Sequence, residues 1–140
     1  MDESGRGNVE LVRDAFAAFE RGGVDAVLPL IAEDVRIYSL PDWPDDAEYH
    51  GHEGFRKLTV AWTEHFDGFG FEVEDLRDAG DKVAVLLRMM GRAKVSGMPL
   101  TQEIGAVFSR FGDGRVGEVR YHPSWEEALA AASVAANEER

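Results

Sequence analysis

The sequence predicts an α+β domain in which helices come first and a mostly antiparallel sheet follows. Two patterns indicate this order. Apolar residues recur at three- and four-residue spacing in segments 9–31 and 55–66, as on one face of a helix. From Phe69 onward the spacing is two, as in strands. Because a strongly curved sheet can wrap around the early helices, we expect a cone-shaped fold that encloses a pocket.

The first helix is predicted to begin at Asn8, whose side-chain oxygen can accept a hydrogen bond from a free amide of the first turn. Gly22 and Gly23 can adopt the left-handed geometry that ends a helix. The apolar face of this helix carries Val9, Val12, Phe16 and Phe19. A second, shorter helix is predicted from near Asp25, with Val27, Leu28 and Ile31 on it, and residues 35–38 then alternate like a strand.

A loop and a third helix come next. Pro41 and Pro44 disfavour regular structure, so we expect a loop up to Gly51. The following helix has one apolar face, which carries Phe55, Leu58, Thr59, Trp62 and Phe66.

Four strands and a last helix complete the predicted domain. The first strand contains residues 71–74 and ends at a turn at 79–81. Strands 82–93 and 101–111 would form an antiparallel hairpin around Ser96 and Gly97, and a glycine-rich turn at 112–114 leads into strand 116–122. Ser124 and Glu127 have the spacing of a capping box, which predicts a final, alanine-rich helix.

The length of 140 residues favours a single domain, which we place at 8–132, between a disordered N-terminus at 1–7 and a polar C-terminal tail at 133–140. No run of eighteen apolar residues and no secretory signal is present, so we expect no membrane partner. The absence of cysteine fits a reducing compartment, and we expect a cytoplasmic protein.

The charge balance is strongly acidic, with 15 basic and 27 acidic residues and a formal net charge of −12. Such a charge repels phosphate backbones at long range, so nucleic acid is not an expected partner. The acidic runs at 42–48 and 137–140 are typical of a solvated surface.

Several segments, in this order, resemble the SnoaL-like branch of the nuclear transport factor 2 superfamily. They are NVELVRDAFAAFERGGVDAVLPLIAEDV, YHGHEGFRKL, DAGDKVAVLLR, and FSRFGDGRVGEVRYH followed by WEEALAAA. The resemblance covers about residues 8–132. It implies an α+β cone, a homodimer, and a mostly apolar pocket between sheet and helices. Its members include polyketide cyclases, ketosteroid isomerase, limonene epoxide hydrolase, scytalone dehydratase and non-catalytic binding modules, so the fold alone does not select a function.

The catalytic residues of these relatives are incomplete in this chain. The position of the carboxylate base in ketosteroid isomerase matches Ser39, and the position of its protonated aspartate matches Val107. In the epoxide hydrolase an arginine is followed two residues later by an aspartate, whereas Arg88 is followed by Met90. SnoaL-type cyclases carry an aspartate on the last strand, where this chain has Tyr121.

Arg88, Glu103 and Tyr121 are the catalytic residues that the sequence suggests. A hairpin centred on Ser96 and Gly97 would place Arg88 opposite Gly105 and diagonal to Glu103. The resemblance implies that this face lines the cone. There Arg88 would hold Glu103 ionised or orient a substrate, Glu103 would abstract a proton, and Tyr121 would donate a hydrogen bond to an enolate-like oxygen. Alternatively, Arg88 and Glu103 satisfy one another at a sheet edge or dimer surface.

The wall of the expected pocket is largely apolar. Its predicted ligand-binding residues are Phe19, Ile37, Ser39, Phe55, Leu58, Trp62, Leu86, Met90, Val107 and Val119. His50 and His52 could meet His65 or His122, but no carboxylate lies at a diagnostic spacing, so we predict no metal site. A pocket-mouth histidine could still act as an acid or base. No dinucleotide or phosphate-binding motif is present, and no cofactor is expected.

Three functions remain open. The first is a cofactor-independent isomerase, cyclase, dehydratase or hydrolase that acts on a small apolar carbonyl compound. The second is a non-catalytic ligand-binding or accessory module, which the missing acid and base at Ser39 and Val107 favour. The third is a purely structural dimer.

Overall fold

The computed structural model describes residues 3–40 and 48–132, with side chains from residue 7 onward. The predicted C-terminal tail, most of the acidic run at 42–48, and the first two residues of the predicted N-terminal segment lie outside this described part. The elements are α1 (Glu3–Val27), a 3₁₀ turn (Leu28–Leu30), β1 (Ile31–Tyr38), β2 (Glu48–His50), α2 (Gly51–His65), β3 (Phe66–Asp78), β4 (Lys82–Ala93), β5 (Pro99–Ser109), β6 (Val116–His122) and α3 (Trp125–Ala132).

The predicted α+β class is confirmed, and the described residues form three helices and one six-stranded sheet in the order β2-β1-β6-β5-β4-β3. Strands β1 and β6 are parallel, and the other neighbouring pairs are antiparallel. The sheet is curled. Phe71 on β3 and Tyr121 on β6 lie three strand spacings apart, about 14 Å on a flat sheet, yet their ring centroids are 6.2 Å apart.

Helix α1 differs from its prediction at its N-terminal end. It begins at Glu3, and Asn8 does not cap it, because the Asn8 amide donates instead to the carbonyl oxygen of Gly80 at 3.1 Å. Gly23 has the left-handed φ that was predicted, at 71°, and its backbone is not helical, so two helical segments meet at a kink there within Glu3–Val27. The predicted break and the short second helix are thus confirmed, but this helix ends at Val27, because a 3₁₀ turn follows and Ile31 belongs to β1.

The bounds of two strands were predicted correctly. Strands β4 and β6 have the predicted limits, whereas β3 begins earlier than expected, at Phe66. A loop was predicted up to Gly51, and for Glu48–His50 this prediction is wrong, because these residues form β2 and pair with β1. Strand β5 runs over Pro99–Ser109 rather than 101–111, so Arg88 pairs with Glu103 and Leu86 with Gly105. The predicted register was wrong by two residues.

The sheet separates two apolar layers. Its inner face, which faces α1 and α2, carries the large buried side chains of β4 and β5, namely Val83, Val85, Leu87, Met89, Ile104, Ala106 and Phe108. Its outer face carries Ala84 and Val107, which pack against Ala128, Leu129 and Ala132 of α3. Helix α3 approaches closely, because a Cβ added to Gly105 would lie 2.5 Å from that of Ala128. The glycine is therefore required by the packing of α3.

The first turn of α3 is capped as predicted, since the Glu127 amide donates to the Ser124 hydroxyl at 3.1 Å. No helix within the described ranges combines the length and the apolar character needed to cross a bilayer.

Candidate functional site

An apolar cavity lies between α1, β1, α2 and the inner face of the sheet. Its volume is about 60 Å³, and the cleft as a whole, including its opening to solvent, contains about 560 Å³ of space between atoms. Thirteen residues line it: Ala15, Phe16, Phe19, Val27, Ile31, Val35, Ile37, Phe55, Trp62, Phe71, Phe108, Val119 and Tyr121. Seven of these are aromatic, so the walls offer flat, polarisable surfaces to a ligand.

Three rings form the most ordered part of this wall, and we call Trp62, Phe71 and Tyr121 the aromatic trio. Trp62 stands nearly perpendicular to both partners, with centroid distances of 5.1 Å to Phe71 and 6.1 Å to Tyr121. The rings of Phe71 and Tyr121 are close to parallel, with 14° between their planes. Since the trio joins α2, β3 and β6, it holds the helix against both sides of the curled sheet.

Tyr121 provides the only hydroxyl among the thirteen lining residues. Burial raises the pKa of the Tyr121 phenol above its ordinary value, because the charged phenolate would lose its hydration. The hydroxyl is therefore neutral at physiological pH and can donate a hydrogen bond. None of the thirteen described lining residues carries a charge at neutral pH, and their side-chain polar groups are the hydroxyl of Tyr121 and the indole N–H of Trp62.

The structure places several of the predicted residues in this cavity. Phe19, Ile37, Phe55, Trp62 and Val119 line it, together with Tyr121, which was predicted as a catalytic donor. Ser39 and Leu58 line a smaller cavity of about 10 Å³ that also borders the aromatic trio.

The predicted positions of Arg88 and Glu103 in the cavity are wrong, because both residues lie on the outer face of the sheet. An Arg88 guanidinium nitrogen lies 2.6 Å from a carboxylate oxygen of Glu74. A hydrogen bond with Glu74 and repulsion by its charge raise the pKa of Glu103, with a smaller contribution from desolvation, and Arg88 opposes this shift. These three side chains form a charged cluster apart from the cavity.

Three predicted ligand-binding residues share this outer face, namely Leu86, Met90 and Val107. The period-two alternation correctly grouped them with Arg88. The assignment of that group to the cavity was wrong. On the outer face the small residues Ala84, Gly105 and Val107 leave room for α3, whereas the larger apolar side chains of β4 and β5 lie on the inner face, which faces α1 and α2.

Phe71, Ile31 and Val35 line the cavity without having been predicted to do so. The alternation of residues along their strands, which places these side chains on the inner face of the sheet, was the signal that could have identified them. Phe71 pairs with Met89, which lies on the inner face of β4, and the inner-facing residues are the most apolar ones of that strand. Phe108 is also part of the wall.

The histidines make separate contacts. His50 Nε2 lies 2.7 Å from a Glu48 carboxylate oxygen, and this hydrogen bond lowers the pKa of Glu48. His52 Nε2 is 3.0 Å from the carbonyl oxygen of Ile31. In residues 3–40 and 48–132, no three histidine, aspartate or glutamate side chains are grouped so that they could hold a metal ion.

Comparison with known proteins gives a family-level match. The family model described as "SnoaL-like domain" matches residues 12–119. No curated protein sequence matches the chain.

Solved structures share the fold. A nuclear transport factor 2-like protein of unknown function from Burkholderia pseudomallei is 23% identical, with a TM-score of 0.73 over 91% of this chain and 98% of that one. A candidate SnoaL-like polyketide cyclase from Mesorhizobium loti is 22% identical, with a TM-score of 0.66 over 81% and 97%. TerC, co-crystallised with polyporic acid, is 15% identical, with a TM-score of 0.73 over 91% and 98%. At these identities the similarity concerns the fold alone.

Proposed function

The chain belongs to the SnoaL-like domain family, and we propose that it binds a small, neutral, mainly apolar molecule in its aromatic cavity. The observation that carries this proposal is the composition of the wall, which consists of twelve apolar or aromatic residues and Tyr121 with its neutral hydroxyl. Small-molecule sites commonly combine apolar walls with a few polar groups that orient the ligand. Here Tyr121 would donate to a carbonyl or hydroxyl oxygen of the ligand.

The charge of the ligand follows from the same wall. Transfer of an ion from water into a cavity without a countercharge is strongly unfavourable. The net charge of −12 also repels anions before they reach the opening. A neutral ligand with a ring that stacks against the aromatic trio fits both constraints.

The fold offers a precedent for ligand binding, since TerC was co-crystallised with polyporic acid. The precedent supports the use of this type of fold as a small-molecule container.

A cofactor-independent reaction is the second candidate, and the neutral Tyr121 hydroxyl is the observation that favours it. Such a donor in an apolar site would stabilise an enolate-like oxygen during isomerisation or cyclisation. The reaction also needs a proton acceptor, and none of the thirteen lining residues provides one at neutral pH. Binding without turnover is therefore the function that the geometry supports best.

The test uses 2-naphthol, a neutral aromatic alcohol, and 2-methylnaphthalene, which has a methyl group in place of the hydroxyl. Both are measured by displacement of the neutral fluorophore N-phenyl-1-naphthylamine. Tyr121→Phe removes one hydrogen bond, worth about 0.5–1.5 kcal/mol, so it should weaken 2-naphthol binding by about 2- to 13-fold. Binding of 2-methylnaphthalene should not change. Equal loss for both ligands, or none for either, would show that Tyr121 does not contact the ligand oxygen.

A further inference from the structure

Two aromatic rings, one from α1 and one from α2, meet at the edge of the cavity. Phe19 of α1 and Phe55 of α2 both line it, and their ring centroids are 6.4 Å apart with 61° between the planes. Both side chains are only half-buried, whereas most of the residues that line the cavity from the sheet are buried. These two rings therefore lie at the boundary between the cavity and solvent.

An exposed ion pair joins the two helices next to these rings. An Arg56 guanidinium nitrogen lies 2.8 Å from a carboxylate oxygen of Asp25, and the two side chains are 50% and 79% exposed. Arg56 directly follows Phe55 in α2, and Asp25 precedes the lining residue Val27 by two positions. The ion pair therefore links two parts of the cavity wall from the solvent side.

The segment that carries Asp25 has a discontinuity at each end. Gly23 has φ 71° and ψ −152°, a backbone region that is essentially restricted to glycine, and it interrupts the helix. A 3₁₀ turn that contains Pro29 follows Val27. Residues 24–27 thus form a single helical turn, which is not stable by itself in water and depends on its tertiary contacts. We call this turn the flap.

Two kinds of contact hold the flap in place. Val27 is buried and lines the cavity, and Ala26 packs partly against the core. The ion pair between Asp25 and Arg56 supplies the charged contact. Because an exposed ion pair contributes little to stability, it can break without unfolding of either long helix. Its loss leaves the flap with its apolar contacts alone.

We propose that the flap is the entry gate of the cavity and that the ion pair between Asp25 and Arg56 is its latch. This inference rests on the proposed binding function and concerns how the same site exchanges its ligand. With the latch closed, Val27 completes the wall beside the two phenylalanine rings. When the latch opens, the flap turns about Gly23 and a ligand passes. A latch that does not contact the ligand changes the association and dissociation rates by the same factor and leaves the affinity unchanged.

The test measures the association and dissociation rates of N-phenyl-1-naphthylamine by stopped-flow fluorescence, with excess 2-naphthol as the displacing ligand. Arg56→Gln should raise both rates by the same factor of about 1.4 to 5, which is the range that the energy of an exposed ion pair allows. The dissociation constant should not change. Asp25→Asn removes the other partner and should give the same result.

Three controls separate the latch from a general effect of lost charge. The double variant Asp25→Arg/Arg56→Asp re-forms the pair with exchanged charges, so its rates should be closer to those of the wild type than the rates of Asp25→Arg alone. Lys94→Gln is the matched control, because Lys94 forms a similarly exposed pair with Asp67, 3.9 Å away, and neither residue lines the cavity. It should leave both rates unchanged. Because both ligands are neutral, 1 M NaCl should accelerate exchange in the wild type by screening the ion pair, and should not do so in Arg56→Gln.

Unchanged rates in Arg56→Gln would overturn the inference, as would faster dissociation alone with a weaker affinity. Hydrogen exchange without ligand gives an independent readout. The amides of residues 25–28 should exchange about 1.4- to 5-fold faster in Arg56→Gln than in the wild type, and equal exchange would show that the ion pair does not hold the flap. If neither ligand binds the wild type, the proposed function itself is refuted; if both bind and the rates do not respond to the variants, only the latch is lost.

Discussion

Gly105→Ala tests the assignment of the two sheet faces. The new Cβ would lie 2.5 Å from the Ala128 Cβ and 2.8 Å from the Ser124 carbonyl oxygen. Carbon atoms pack best at about 3.5–4.0 Å, so α3 must move away by about 1 Å. Overpacking of this kind costs about 1–3 kcal/mol. In a domain near 150 residues, each kcal/mol lowers the melting temperature by about 2–4 °C, so a decrease of about 2–12 °C is expected.

The assay combines thermal unfolding by circular dichroism with 2-naphthol affinity. Gly105 lies on the outer face, so the variant should lose stability and keep the affinity of the wild type, measured at a temperature where it is folded. Gly70→Ala is the control, because a Cβ at Gly70 meets no atom within 4 Å. This control should be neutral or about 0.4–1 kcal/mol more stable. An unchanged melting temperature for Gly105→Ala, or a loss of 2-naphthol binding at full stability, would refute the assignment of the faces.

Two further predictions concern the same side of the molecule. Ser124→Ala removes the cap of α3 and should cost about 1 kcal/mol in chemical denaturation, whereas Ser124→Asp should retain most of the stability; equal stability of all three proteins would contradict the cap. The pKa of Glu103 is raised in the folded state. At pH values just above the ordinary glutamate pKa, the folded protein therefore binds more protons than the unfolded chain. The stability of the fold decreases as pH rises through this range. Glu103→Gln should therefore gain stability relative to the wild type as pH rises above the ordinary glutamate pKa of about 4.3, and a pH-independent difference would show that Glu103 is not coupled to Glu74.

The sequence predicted the elements whose patterns are long and bounded by turn residues. Strands β4 and β6 are examples, because their alternation stops at glycine-containing turns. Strand β2 has three residues, which is too short for a periodic signal, and its pairing with β1 depends on tertiary structure. Asn8 is of a residue type that often caps helices, yet its side-chain amide donates to the carbonyl oxygen of Gly80, which is 72 residues away in sequence.

The candidate site was predicted only in part, because alternation divides a strand into two faces without showing which face is covered by which helix. Arg88 and Glu103 were correctly placed together but on the wrong side of the sheet. Gly105 carried the missing signal. A glycine inside a strand often marks close approach of another segment, and the alanine-rich α3 is the segment with side chains small enough to make that approach.

The register error had a separate cause. The sequence predicts a tight turn at Ser96 and Gly97, whereas residues 94–98 connect the strands and the Gly97 amide donates to the carbonyl oxygen of Ala93 at 2.8 Å. A longer connection shifts the strand pairing without any change in the apolar pattern of either strand.

The central claim, that the cavity between α1 and the inner face is a small-molecule site, is tested most directly by filling it. Ala15 lines the cavity from α1, and Ala17 is exposed on the same helix. Ala15→Leu adds three carbon atoms to the cleft, whose enclosed part measures about 60 Å³ and whose whole space between atoms, opening included, is about 560 Å³. It should weaken 2-naphthol binding by at least about tenfold, whereas Ala17→Leu, the matched control, should bind like the wild type. Equal affinity of the wild type and both variants, or no binding of 2-naphthol to the wild type, would contradict the claim.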